Sequence, residues 1–186
     1  MNFHHKKPLD HILHETVDKI MEKVTINAEF DIPYLAGYNK ETSIIYMDKD
    51  MPRFMTDSKG KVIDTYRYLT VHETIESAMK EKFGLDYIHA HQLALYAERA
   101  AVVADGVSWD EYDAFMQKYI DMAIEKTGIK VPANLDLQPY EDCADTETLE
   151  KIRESRCRCG IKHTVNEQAM VKVSTKESPK PQWLIW

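Results

Sequence analysis

Residues 65–104 constrain this chain more than any other part, because two apolar periodicities of helical length follow each other with one glycine between them. In the first, Tyr68, Leu69, Val71, Ile75, Ala78, Met79 and Phe83 recur at helical spacing and stop at Gly84, a residue suited to a left-handed helix end. The second opens at Asp86, a good N-cap, and runs to about Ala104, with Gly106 beyond it. Ala94, Ala97, Ala100 and Ala101 allow close packing of this second helix.

The polar residues on these two helices carry the chemistry. In "HETIE", His72 and Glu76 are four apart, so on a helix both project from one face about one turn apart. An imidazole and a carboxylate placed that way can bind one ion. Glu73 lies about 100° round the helix from His72, where it reaches a water on that ion rather than the ion itself. This is the logic of the H-E-x-x-H zinc helix with the second His replaced by Glu.

One helix face cannot surround an ion, so a third ligand must come from elsewhere. The second helix offers His89, His91 and Glu98. His91, Leu95 and Glu98 share a face, whereas His89 lies about 200° from His91 and points away. His91 is therefore the preferred third ligand, with Glu98 a fourth ligand or an acceptor that orients His91. Two His and one carboxylate suit zinc, which activates water, or Fe(II), which builds oxygenase sites. Iron triads usually sit on β-barrels, so the helix-borne pair favours Zn2+ over Fe2+.

Around this pair the chain reads as follows. Residues 9–24 form an amphipathic helix with Leu9, Ile12, Leu13, Val17, Ile20 and Met21 on its apolar stripe, and with His11 and His14 as packed or surface histidines. Tyr34-Leu35 and Ile44-Ile45-Tyr46 are β-prone runs flanking the turn signal Gly37–Lys40, so a strand or hairpin is expected there. Pro52 ends it, and Asp57–Gly60 is a polar loop. Ser108 and Glu111 match a capping box that opens a helix to about Lys126. Beyond Val131 the text turns irregular, with a short helix at about 147–156, a strand at 169–173 and a polar stretch at 174–182.

Composition narrows the partners. A formal net charge of −7 opposes a phosphate-binding surface, and Lys6-Lys7 and Arg156/Arg158 are the only hints of a basic patch, so nucleic acid is not expected. No apolar run spans a membrane and no signal peptide is visible, which reads as a cytoplasmic chain without a membrane partner. The three cysteines do not build a disulfide framework. Cys143, Cys157 and Cys159 with His163 form a weak candidate for a second metal site, reduced thiols being the simpler reading.

The succession "TSIIYMDKDMPR", a polar loop, "VHETIE", a glycine and "YIHAHQLALYAE" resembles the small zincin-like metalloproteins, in which an edge strand beside the active helix orients a peptide substrate. It is similar also to uncharacterised bacterial and phage proteins with a shared HExxE pattern. The resemblance implies His72, Glu76 and His91 as metal ligands and Glu73 as general base. It adds Asp48, Arg53 and Tyr87 as site-adjacent candidates, for which a surface ion pair, a turn cap and a core aromatic are the plainer roles.

The expected fold is α+β, mainly α-helical, with a small sheet beside the HExxE helix. A zincin-like metal-binding domain covers 1–140 and an irregular C-terminal arm 141–186. The expected activity is zinc-dependent hydrolysis of peptide or amide bonds. The competing expectation is a non-catalytic interaction or phage-type assembly protein with a structural metal or none. Its support is the apolar run Trp183–Trp186, able to dock on a neighbouring subunit and so to build a homo-oligomer through the arm.

Overall fold

The computed structural model describes residues 6–157. The expected strand at 169–173, the polar stretch after it, the Trp183–Trp186 anchor, Arg158, Cys159 and His163 lie outside the described residues, as do the side chains of Lys6, Lys7 and Cys157. Within them the fold is α+β and mainly helical. None of the described helices is long and apolar enough to cross a membrane.

Helix α1 (Lys6–Met21) leads directly into strand β1 (Thr25–Phe30). Strand β2 (Ala36–Tyr38) then pairs antiparallel with β3 (Ile44–Asp48), and β1 pairs parallel with the other side of β3. The sheet order is thus β1-β3-β2. The hairpin expected at 34–46 is present, but Gly37 lies inside β2 opposite Tyr46 rather than in the turn. A Cβ there would stand 2.6 Å from Leu135 Cδ1, so the end of that side chain would have to shift. Asn39 makes the turn instead, its Oδ1 accepting from the Glu41 amide at 2.8 Å.

Strand β1 was not foreseen. Its signal was the alternation Ile26, Ala28, Phe30, too short to stand out behind a helix. A second small hairpin, β4 (Phe54–Thr56) and β5 (Val62–Asp64), flanks the expected polar loop. There Asp57 accepts from the amides of Lys59 and Lys61 at 2.9 and 2.8 Å.

Helix α2 (Thr65–Phe83) starts where Asp64 caps the Tyr66 amide and stops at Gly84, whose φ of 67° is left-handed. Bonds from Gly84 N to Lys80 O and from Leu85 N to Met79 O close its last turn. Helix α3 (Tyr87–Ala104) starts at Asp86, which accepts from the His89 amide. Helix α4 (Trp109–Ile124) is capped by Ser108. Only half of the expected capping box forms, because the Glu111 carboxylate turns away to Ser58, 3.0 Å from its amide and 2.6 Å from its Oγ. It ties α4 to the β4–β5 loop instead.

The apolar faces of α1, α2, α3 and α4 meet β2 and β3 in one core, with Met47, Val102 and Tyr112 fully buried. A second cluster joins Ile32 and Tyr46 to Leu135, Tyr140, Leu149 and Ile152. Tyr140 lies in the short helix α5 (Gln138–Asp142), and the last two lie in α6 (Thr146–Cys157). The described residues beyond 140 therefore bury apolar side chains against the sheet.

Candidate metal centre

Helices α2 and α3 lie against each other. Ala90 and Ala94 are fully buried, and their small side chains let the α3 backbone approach. Ala100, by contrast, is exposed. That approach carries His91 to the His72–Glu76 face of α2. His91 Nδ1 stands 3.0 Å from Glu76 Oε2 and 3.1 Å from His72 Nε2, and His72 Nε2 stands 3.7 Å from the same Glu76 oxygen. All three residues offer one donor atom to a common point. Four donors at ~2.0–2.1 Å around a tetrahedral ion lie ~3.3 Å apart, so these separations fit zinc.

His72 is held from behind. Its Nδ1 lies 2.7 Å from Glu98 Oε2, and Tyr112 donates its hydroxyl to Glu98 Oε1 at 2.6 Å. Glu98 therefore orients His72, not His91 as the helix angles suggested. With Nδ1 directed to the Glu98 carboxylate, Nε2 is the ring nitrogen that faces the donor cluster. Tyr112 is fully buried, and burial together with the Glu98 charge raises its pKa well above the ordinary phenol value. It stays a donor. On the sequence Tyr112 is indistinguishable from any apolar helix position, so nothing in its spacing singles it out.

The two neighbouring carboxylates of α2 are driven apart. Burial works against charge on Glu76, but hydrogen bonds from His72 and His91 outweigh it and bring its pKa to about 2. Glu73 is 9% exposed and accepts no hydrogen bond among the described residues. Burial, and then the charge of Glu76, push its carboxyl up to about 8. Hydrogen bonding thus favours the ionised form of Glu76 within the cluster, while burial disfavours charge on Glu73. On His72 burial opposes the charge, yet the bonds to Glu76 and Glu98 outweigh it and raise the pKa.

A cavity of ≈ 160 Å³ opens onto the cluster. Its floor is His72, Glu73, Glu76, His91 and Glu98; one wall is β2 with Tyr140, and the other is a face of α4. Tyr87 also lines it, its hydroxyl 3.4 Å from His91 Nδ1 and its pKa raised by burial. Of Asp48, Arg53 and Tyr87, Tyr87 is the one that lines this cavity.

The other neighbours fall elsewhere. Asp48 is buried at the end of β3, where Lys126 contacts both its oxygens at 2.6 and 2.8 Å and the Ile32 amide donates at 2.9 Å. Arg53 pairs with Asp64 at 2.9 Å. Neither lines the cavity. His89 points away from the cluster and pairs with Asp86, the N-cap of its own helix, 2.7 Å away. His14 is likewise a partner of Asp105, at 2.7 Å. Cys143 sits partly buried at the end of α5, apart from the donor cluster.

The strand relation needs correction too. The expected edge strand, Ile44–Asp48, is the middle strand of its sheet, because the unforeseen β1 covers its far side. The edge beside the cavity belongs to β2, from which Ala36, Gly37 and Tyr38 line the wall. Part of that edge is occupied, since Tyr38 O accepts from the Asp136 amide at 3.0 Å.

Comparison with protein-family models, with curated proteins and with solved structures yields no match for this chain.

Proposed function

We propose that this protein is a metal-dependent hydrolase of peptide or amide bonds, with zinc as its metal. The observation that carries the reading is Glu73, a buried carboxylate without a hydrogen-bond donor among the described residues, lining the cavity beside a His72–Glu76–His91 donor cluster. A zinc ion held by those three residues supplies the Lewis acidity that polarises a carbonyl and acidifies a water.

The chain's own groups divide the remaining work. Glu73 takes the proton from the attacking water and returns it to the leaving amine. Glu98, held by Tyr112, keeps His72 in the tautomer that exposes Nε2. Tyr87, a phenol throughout, is placed to donate a hydrogen bond near His91. An anionic third ligand makes the ion a weaker Lewis acid than three imidazoles would, which puts more of the burden on Glu73. A closed structural site has no use for a cavity over the cluster, which supports catalysis over assembly. The HExxE motif keeps the zincin-like comparison as part of this reading. A cytoplasmic setting belongs to it as well, supported by a count of three cysteines, too few for a disulfide framework.

The test is elemental analysis of protein purified without a histidine tag, followed by turnover of a peptide library. Wild type carries about one equivalent of zinc, His72→Ala and His91→Ala lose it, and Glu73→Gln keeps the metal while losing turnover by ~10²–10⁴-fold. A wild type that holds no metal and keeps its melting temperature in chelator would remove the site. Turnover unchanged in Glu73→Gln would remove Glu73 as base.

A further inference from the structure

The cavity wall facing the sheet is built by α4, and one charged residue stands on it, Asp113. Trp109, Met116 and Ile120 line the cavity from this helix, and Asp113 lies among them, four residues from Trp109 and three from Met116. Its carboxylate has no hydrogen bond or ion pair among the described residues. Arg99, the cation that acts on it, instead lies over the Trp109 ring, 5.6 Å from its centroid.

The other charges of the cavity sharpen the point. Among the described residues no Lys or Arg lines it. Glu76 and Glu98 are bonded to histidines, and Asp136 lies 2.7 Å from Lys40 and 2.9 Å from Lys80. Two carboxylates remain uncompensated, Asp113 on the wall and Glu73, nine-tenths buried, on the floor. A half-buried acid facing an apolar hollow gains from a cation whose stem the hollow covers, as a Lys or Arg stem would be beside Trp109, Met116 and Ile120. Burial and the nearby charges of Glu98 and Asp110 already hold the Asp113 carboxyl above its ordinary range, the mark of a group short of positive neighbours.

We propose that the substrate presents a lysine or arginine side chain to this cavity, with its charge on Asp113 and its methylene stem along the α4 wall. This rests on the hydrolase reading for its placement beside a scissile bond, while the recognition itself does not need turnover.

Binding separates the two. Calorimetry on the zinc-loaded full chain compares Nα-acetyl-lysine hydroxamate with Nα-acetyl-norleucine hydroxamate, which lacks only the charged group. Wild type prefers the lysine form by about tenfold. Asp113→Asn brings the two affinities to within about twofold with zinc content unchanged, and Asp113→Glu, which keeps the charge, restores the preference. Equal affinities in wild type, or a preference that survives in Asp113→Asn, would overturn the assignment. A lysine preference without peptide turnover would sink the hydrolase reading and leave the cation site standing.

Discussion

Glu98 of α3 and His72 of α2 are joined at 2.7 Å between Oε2 and Nδ1, inside a core where both side chains are buried. This bond crosses the helix interface and aims the imidazole at the donor cluster. Glu98→Gln keeps the shape but loses the negative acceptor, so zinc affinity should fall by ~10–100-fold while the helical signal is retained. A chelator competition titration measures this. Affinity within twofold of wild type would mean that the interface alone holds the ring.

Tyr112 closes the far end of the same chain. Tyr112→Phe leaves Glu98 Oε1 buried without its donor, which costs ~1–3 kcal/mol of stability. Urea unfolding of the metal-free protein should record it. Zinc affinity should fall less than in Glu98→Gln, because the bond to His72 survives.

Asp136 supports the cavity from another direction. Burial opposes its charge, but hydrogen bonds from Lys40, Lys80 and Tyr38 prevail and lower its pKa below the ordinary 3.8. A folded value below the unfolded one means that this contribution is complete above pH ~4 and is lost as pH falls through the lowered value. Asp136→Asn leaves Lys80, whose side chain is 5% exposed, without its partner and should cost ~3–5 kcal/mol at pH 7. The gap between variant and wild type in urea unfolding should close once the pH is well below ~4. A gap independent of pH would show that packing, not charge, makes the difference.

Ile152 of α6 is fully buried in the cluster that also holds Ile32 and Tyr46. Ile152→Ala should therefore cost ~2–5 kcal/mol, as a core truncation does. Thermal unfolding would register it as one cooperative transition at lower temperature. An unchanged melting temperature would make α6 an appendage to a body that ends near residue 140.

Much of this site was open to reading in one dimension, because its candidate ligands lie on helices whose angular period is known. The placement of His72, Glu76 and His91, the exclusion of His89 and the separate position of Glu73 all follow from residue spacing. The ends of those helices follow from Asp64, Gly84, Asp86 and Ser108, residues whose capping chemistry acts over a few positions. Local rules served where local physics acts.

What only the tertiary structure decided involves partners far apart in the chain. Angles within α3 placed Glu98 beside His91, but they carry no information about how deeply α2 and α3 interlock, and that depth gives Glu98 to His72. Tyr112 joins them through packing of a third helix. The middle position of β3 depends on β1, a strand whose short alternation gains its stability only once β3 is there to pair with it. Asp48 and Arg53 find Lys126 and Asp64 rather than the cavity for the same reason. The sequence by itself determined which helix faces carry the donors; which donors meet was left to burial, since interfaces are set by packing summed over the whole core.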